Sequence, residues 1–489
     1  MISRYHLPEN VHLRRALALW AVFAVAVCAK TLLVGGEHSV YPVFAAASRH
    51  WWADMSLYAD YQTTEKIDGY RYSPAFAVAF TPLARLPDRL GAMLWGLASM
   101  GLLFWSLRVL VRDVFLPLPL GEGRGEGGRN DEENSSQQPH ALTLSLSQRE
   151  RRPAKTLFRP TFGRCPERRL PEGAFLTLTL VGSAVGIWSG QSNAILPALV
   201  ALALAAIVRQ RWWTAAWLLA VPVFIKLWPL AIVLLLAACW PRQLIGRFAA
   251  ACAALAAAPF LTRPFEKVVW QYHEWYASLT GPLQGRWEGY RDAWTIWENL
   301  CPLAGRCADW QQPVNRHVYM ALQLATAAAV LGWCLWQRRR ADMGDCPDFR
   351  ARTRSVGPKM GLSPFISTGH LLTLIYSMWA SWQLLFGPGT EQLTYGIIAP
   401  ATSWAVLVSF AEKKARWLTV AAWAMLALLA AGDIEKPILA VFPAGKVLLP
   451  LGVVLFAAWL VWHECGERRG IRVQGSGFRI QGSDSDAQL

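Results

Sequence analysis

The sequence predicts an all-α integral membrane protein with about twelve transmembrane helices and two long extracytoplasmic loops. Three observations support this fold class. Apolar residues make up 54% of the 489 positions and charged residues only 17%. The apolar residues recur in runs close to the roughly 20 residues that cross a bilayer. Clusters of Lys and Arg occupy alternate gaps between the runs, as the positive-inside rule predicts for a chain that crosses a membrane repeatedly.

The basic clusters assign a side to each helix end. Arg14 and Arg15 precede the first run and Arg468 and Arg469 follow the last, so both termini are predicted to be cytoplasmic. No small-residue cleavage pattern follows the first run, which is interpreted as a retained helix and not a signal peptide. The predicted spans are residues 16–34, 90–111, 174–189, 194–209, 212–225, 227–240, 246–261, 317–337, 369–386, 394–411, 417–432 and 446–463.

The run from Pro74 to Leu86 is short and interrupted by proline. Counting it as a span would invert the side of every later helix, so it is predicted to lie in the outer interface or to re-enter the membrane. The net charge of +15 is explained by basic residues at helix ends, which makes nucleic acid an improbable partner. We expect a multi-pass protein of the plasma or inner membrane that acts as a monomer.

Three polar segments interrupt the pattern, all on the predicted cytoplasmic side. Residues 116–172 and 466–489 are predicted to be disordered because they hold too little apolar sequence to form a core, and residues 341–368 are predicted to be a cytoplasmic insertion. Inert insertions and a regulatory basic tail are both compatible with this composition. The segments divide the membrane part into residues 1–115, 173–340 and 369–465.

Two connections are far longer than their helices require, and long loops tend to be functional. Loop 1, residues 35–89, and loop 4, residues 262–316, both fall on the predicted outer side. Each mixes carboxylates and basic groups with Trp and Tyr, which suits recognition of sugars and phosphates. Solvated carboxylates, interfacial aromatics or, in loop 4, an amphipathic interfacial helix are the alternative interpretations. Cys301 and Cys307 of loop 4 can pair if that side is oxidising.

Short outer turns place polar groups at the edges of apolar helices, where an unpaired amide or charge is unfavourable. Gln191 and Asn193 lie in one such turn and Lys226 in the next. A lysine there supplies a compact positive charge for a lipid phosphate, or it extends its ammonium group to the interface. Glu391 lies in a third turn. Helix capping by Ser192, Asn193 or Thr390 is the structural alternative.

Several enzyme classes have no sequence signal here. The chain contains neither a phosphate-binding Walker loop nor a Gly-x-Ser-x-Gly elbow. Its Cys and His residues do not have the spacing of metal ligands.

Three blocks resemble the polyprenol-phosphate-mannose-dependent mannosyltransferases of glycosyltransferase family 87, integral membrane enzymes of the GT-C fold class. The first block runs from Val40 to Pro87, with Tyr-Arg-Tyr-Ser-Pro at 70–74. The second joins Gly-Gln-Ser-Asn at 190–193 to Lys-Leu-Trp-Pro at 226–229 and is the most specific. The third, looser, is Gly-Pro-Gly-Thr-Glu at 387–391 with the final spans.

The resemblance implies transfer of a hexose, mannose in the family, from a polyprenyl-phosphate donor to an extracytoplasmic lipid or polysaccharide acceptor, with no metal or other cofactor. Family members carry a carboxylate early in the first outer loop that acts as general base on the acceptor hydroxyl. This sequence departs from the usual Asp, and Glu37 is the first candidate, followed by Asp54, Asp60 and Glu391. The candidate substrate-binding residues are His38, Tyr41, Arg71, Gln191, Asn193, Lys226, Arg291 and Asp292.

Two functional classes remain open at this point. A glycosyltransferase of envelope assembly is the first. A non-catalytic binder or translocator of lipid-linked saccharide, which kept the scaffold and lost the base, is the second. Charges lining successive spans would favour transport, and the sequence has few, which favours chemistry at one face.

Overall fold

In the structure, a computed structural model, the elements formed by the described residues are α-helices and short 3-10 helices, joined by turns and irregular segments. The described residues are 9–34, 39–61, 65, 68–115, 170–280, 291–300, 316–344, 368–387, 390–429, 437, 439–441 and 443–475. The helices are α1 (Glu9–Val34), α2 (Tyr41–Trp52), α3 (Pro74–Ala79), α4 (Thr81–Ala84), α5 (Asp88–Asp113), α6 (Glu172–Trp188), α7 (Ile195–Val208), α8 (Trp212–Ile225), α9 (Leu230–Cys239), α10 (Pro241–Ala257), α11 (Phe265–Thr280), α12 (Ala293–Leu300), α13 (Arg316–Gly344), α14 (Thr368–Phe386), α15 (Ala399–Glu412), α16 (Arg416–Leu429) and α17 (Leu448–Gly475).

Six helices among the described residues are long and apolar enough to cross a membrane: α1, α5, α10, α13, α17, and α15 together with the 3-10 turn before it. The helices from α6 to α9 are apolar but shorter. An all-helical, multi-pass membrane protein is therefore confirmed. A helix lies at each of the twelve predicted positions, although the number of spans stays a prediction.

Helix ends predicted for the same side of the membrane lie together. Glu172 at the start of α6 accepts hydrogen bonds from Arg108 at 2.6 Å and Arg112 at 2.9 Å, near the end of α5. Arg209, just after α7, pairs with Asp113. These ion pairs hold together the end of α5, the start of α6 and the end of α7, three helix ends that the basic residues assign to the cytoplasm. Which face of the membrane they occupy remains a prediction.

The C-terminal helices follow the same arrangement. His463 of α17 lies 3.1 Å from a carboxylate oxygen of Glu412 at the end of α15. Glu464 lies 3.2 Å from His370 at the start of α14. The end of α15, the start of α14 and the middle of α17 therefore share a cluster of carboxylates and imidazoles.

Two helices extend from the predicted spans into the predicted polar segments. Helix α13 continues to Gly344, into the segment 341–368, and α17 continues to Gly475, into the segment 466–489 that was predicted to be disordered. Extending an existing helix avoids the unfavourable nucleation step, so the helix continues for several residues past the end of the apolar sequence. Most of the insertion 116–172, from residue 116 to 169, lies outside the described residues, as do Cys301 and Cys307.

Loop 1 folds around an aromatic cluster. The ring of Phe44 in α2 contacts Tyr72, Phe76 and Trp95, with centroids 4.9, 5.2 and 5.7 Å away. The run from Pro74 to Leu86 forms the two short helices α3 and α4, each with a proline in its first turn. This packing fixes the position of loop 1 beside the start of α5.

Candidate functional site

The turn at 190–193 is held against loop 1 by its backbone. Gly190 has a φ of +64°, a left-handed conformation that glycine adopts without strain. A side chain there would also meet Ser39, whose Oγ would lie 2.6 Å from an added Cβ. Trp95 donates its indole N–H to the Gly190 carbonyl at 2.8 Å, and the Val40 amide donates to the Ser189 carbonyl at 3.1 Å. The turn is therefore anchored on both sides.

A chain of three polar side chains joins this turn to the end of α8. Lys226 Nζ donates to Asn193 Oδ1 at 3.2 Å, and Asn193 Nδ2 donates to Gln191 Oε1 at 2.6 Å. A lysine ammonium has only donors, so it fixes the orientation of the Asn193 amide, which in turn fixes that of Gln191. We call these three residues the donor relay. Its outer end is the Nε2 amide group of Gln191, which can only donate.

The ring of Tyr72 contributes a second contact to Lys226. Lys226 Nζ lies 5.6 Å from the centroid of the Tyr72 ring, within the range of a cation–π interaction. Tyr58 donates its hydroxyl to the Tyr72 carbonyl at 2.8 Å. Burial raises the pKa of Tyr58, so this hydroxyl remains a donor at all ordinary pH values. Loop 1 thus positions the relay lysine directly.

A third segment, the 3-10 turn Gln392–Ile398, packs against the turn Ser192–Ala194. Gly186 of α6 lies where these two turns meet: a Cβ added there would be 3.8 Å from the Leu393 carbonyl and 3.9 Å from Asn193 Cβ, which is ordinary van der Waals contact. Glu391, half-buried, directly precedes this 3-10 turn.

Arg291 joins the same segment through its backbone. Its amide donates to the Thr390 carbonyl at 2.9 Å, and its carbonyl accepts from the Tyr395 hydroxyl at 2.9 Å. The backbone at Arg291 therefore lies beside the backbone at Thr390, the residue before Glu391. Arg291 is buried as a whole residue.

Asp54 is engaged in ion pairs with the start of loop 4. Lys267 Nζ lies 2.8 Å from one carboxylate oxygen and Arg263 lies 3.4 Å from the other. The hydrogen bond from Lys267, assisted by the charge of Arg263, lowers the pKa of Asp54 below its ordinary value. The backbone of Asp54 has a φ of 59°, a conformation that Asp tolerates better than most residues. Asp54 fastens loop 1 to α11.

The other candidate residues differ in their surroundings, and two of them, Tyr41 and Asp292, have structural roles. Tyr41 is 1% exposed and donates to the Leu83 carbonyl at 2.8 Å, so no face of its ring is open to a sugar. Asp292 caps α12, because its Oδ1 accepts from the Thr295 amide at 3.1 Å. Asp60 and Arg71 are exposed on loop 1. Glu37 and His38 lie outside the described residues.

The outer turns do not contain the helix caps that Ser192, Asn193 or Thr390 could have formed. No side-chain cap is formed at the start of the 3-10 turn Ser192–Ala194 or of α7. The Ser192 hydroxyl is buried and has no hydrogen-bond partner among the described residues. Thr390 donates back to the Gln383 carbonyl at 3.1 Å and does not cap the following turn. Lys226 points at Asn193 and does not simply extend to the interface.

Tyr72 is the contact that the sequence did not assign. Its only local signal was membership of the Tyr-Arg-Tyr-Ser-Pro block, which gives no information on a partner in α8. The stacking of Trp228 on Trp379, with centroids 5.7 Å apart, was also not predicted. It fixes the Lys226 turn against α14.

The donor relay lies inside a region that matches a known family. The sequence profile described as glycosyltransferase family 87 matches residues 70–351, more than half of the chain. The chain belongs to glycosyltransferase family 87. A comparison with curated proteins found no match.

Membership of glycosyltransferase family 87 makes the protein a membrane glycosyltransferase. The matched region contains Tyr72, Lys226 and the turn at 190–193, which confirms the family that the second sequence block indicated. Glu37 and Glu391 lie outside the matched region. The roles of individual side chains therefore remain proposals.

Proposed function

We propose that this glycosyltransferase transfers a hexose, mannose by family resemblance, from a polyprenyl-phosphate donor to an extracytoplasmic glycolipid or polysaccharide. The observation that carries the proposal is the donor relay from Lys226 through Asn193 to Gln191. It collects a cation and oriented N–H groups at the edge of apolar helices, where a lipid-linked phosphate would present its oxygens.

The relay suits a phosphate on two grounds. The Lys226 ammonium has three N–H donors and, among the described residues, uses one of them on Asn193, which leaves the others for phosphate oxygens. Gln191 uses its carbonyl oxygen to accept from Asn193, and its N–H groups donate to no other described residue. A ligand that meets both groups must carry several acceptor oxygens, as a sugar phosphate does.

In the proposed reaction the acceptor hydroxyl oxygen attacks the anomeric carbon of the donor. The bond from that carbon to the phosphate oxygen breaks, and polyprenyl phosphate leaves with the electron pair. A carboxylate takes the hydroxyl proton. Lys226 stabilises the charge that develops on the leaving phosphate, and this stabilisation is worth more in the transition state than in the ground state.

Glu37 is the first candidate for the general base because it precedes Val40 as the family carboxylate does. Glu391 is the second, because its segment packs beside the relay. Asp54 is a poor base: Lys267 and Arg263 stabilise its ionised form and lower its pKa. We therefore assign Asp54 to the attachment of loop 1. Asp60 remains a lower-ranked candidate.

Donor selectivity in reconstituted vesicles tests this function. Purified protein would be supplied with tritiated mannose on a polyprenyl phosphate or on a nucleoside diphosphate, and label in the glycolipid and polysaccharide fractions would be counted. The proposal expects transfer from the lipid donor alone. Transfer from the nucleotide sugar, or binding of the lipid donor with no transfer of any hexose, would contradict it. The second result would instead support a non-catalytic binder.

Matched variants locate the base. We expect Glu37→Gln to abolish transfer while leaving donor binding intact, and Asp54→Asn to retain transfer. If Glu37→Gln stays active and Glu391→Gln does not, the base moves to Glu391.

A further inference from the structure

One face of α11 is apolar and exposed. Phe265, Val269, Tyr276 and Leu279 are spaced by four, seven and three residues, which places them on one side of the helix. Their exposed fractions are 70, 44, 65 and 40%. Exposed apolar groups that form a contiguous stripe mark an interaction surface.

The other faces of α11 have different chemistry. Val268 and Gln271 are buried against loop 1. Gln271 donates to the Met55 carbonyl at 2.8 Å and accepts from the Leu57 amide at 3.1 Å. A third face is exposed and carries the polar residues Glu266 and His273, with Ala277 and the 42% exposed Trp270 at its far edge. The helix therefore holds loop 1 on one face while it presents the apolar stripe on another.

The stripe begins where a candidate membrane span ends. The apolar helix that includes α10 runs to Leu261, which is 90% exposed, and only residues 262–264 separate it from Phe265. Tyr272 donates its hydroxyl to the Ala256 carbonyl at 3.0 Å, and the ring of Phe260 lies 5.3 Å from that of Phe265. These contacts fold α11 back onto the end of the span, so the two apolar surfaces are continuous.

We propose that α11 is a membrane-surface helix whose stripe of Phe265, Val269, Tyr276 and Leu279 lies in the headgroup and upper acyl region of the bilayer. The occupant of the stripe is lipid, because the stripe continues the exposed apolar surface of a membrane span. A helix with one apolar and one polar face lies in the interface about 5–10 Å deep. Aromatic residues such as Tyr276 are enriched at that level.

The position of α11 has a consequence for loop 1. Gln271 ties Met55 and Leu57 to a helix that rests on the membrane, so loop 1 is held at the height of the lipid headgroups. This inference is independent of the transfer reaction, since it rests on the packing of α10, α11 and loop 1 alone.

Site-specific photo-crosslinking tests the proposal in the full chain. Benzoylphenylalanine would replace Tyr276 on the stripe or His273 on the polar face, and Val269 or Ala277 as a second matched pair. Each variant would be irradiated in vesicles of phosphatidylethanolamine and phosphatidylglycerol, and adducts would be identified by mass spectrometry. We expect several-fold more lipid adduct at positions 276 and 269 than at 273 and 277. Equal lipid adducts on both faces, or adducts of the stripe with a second copy of the chain, would overturn the proposal.

Discussion

Lys226 and Asn193 are in direct contact, with Nζ 3.2 Å from Oδ1, although they belong to different turns of the chain. Lys226 follows α8, and Asn193 lies just before α7. Because Asn193 also donates to Gln191, the contact determines the orientation of both amides. The account therefore predicts effects that depend on hydrogen-bond polarity as well as on side-chain size.

Asn193→Asp tests that polarity. The new carboxylate keeps an acceptor for Lys226 but loses the donor to Gln191 and adds a negative charge beside the proposed phosphate site. We expect kcat/KM for the lipid donor to fall roughly 10- to 100-fold, since hydrogen bonds to charged groups contribute about 1.5–3 kcal/mol. Asn299→Asp, the same change in α12, is the control. An unaltered kcat/KM in Asn193→Asp would argue against the relay.

Tyr72 is expected to act through its ring and not through its hydroxyl. Tyr72→Phe should retain donor binding, and Tyr72→Leu should weaken it roughly 2- to 30-fold, because a cation–π contact contributes about 0.5–2 kcal/mol. The measurement is the dissociation constant of the lipid donor. Tyr70→Leu removes a neighbouring buried ring and serves as the stability control. Equal weakening in Tyr70→Leu and Tyr72→Leu would assign the effect to folding.

The attachment of loop 1 to α11 should weaken in acid. The pKa of Asp54 is lowered below its ordinary value of 3.8, chiefly by the hydrogen bond from Lys267. A lowered carboxyl pKa gives stabilisation that is complete above the ordinary value and is lost as pH falls through the lower, folded value. Hydrogen exchange of the Leu57 amide, corrected for its intrinsic pH dependence, should therefore accelerate only when the pH falls below the ordinary Asp pKa of 3.8. Asp54→Asn should lack this acid step, and Asp68→Asn should keep it.

Gly182 is expected to be essential for packing around the relay. A Cβ at Gly182 would lie 2.7 Å from Ala399 Cβ, a distance that requires α6 and α15 to move apart. Gly182→Ala should lower the free energy of unfolding by about 1–3 kcal/mol, the usual effect of overpacking. Gly101→Ala, where nothing lies within 4 Å of the added atom, should not destabilise the fold. Thermal unfolding in detergent compares the two.

Much of the helical framework could be predicted from the sequence because apolar runs and basic clusters are local signals. Gln191, Asn193 and Lys226 could be singled out for a related reason: polar residues at the edges of apolar helices need partners. Their mutual hydrogen bonds could not be predicted, because they depend on how α7 and α8 pack.

The roles of the other candidate side chains depend on the partners that they contact in the fold. Asp292 resembled a recognition residue, although its spacing from Thr295 also fits a helix cap, which is the role its carboxylate has in the structure. The sequence makes Asp54 a candidate base, but its ion pairs with Lys267 and Arg263 depend on how loop 1 packs against loop 4 and could not be predicted. Tyr72 reaches Lys226 across the fold, and no periodic pattern reports such a contact.

The central claim is that Lys226 holds the phosphate of a lipid-linked sugar. Its most direct test is the rate of mannose transfer from polyprenyl-phosphate mannose by wild-type protein, Lys226→Ala and the control Lys413→Asn, each in vesicles. The account predicts that Lys226→Ala loses roughly 10- to 100-fold in kcat/KM, the contribution of a charged hydrogen bond, while Lys413→Asn is unchanged. Wild-type rates in Lys226→Ala would contradict it.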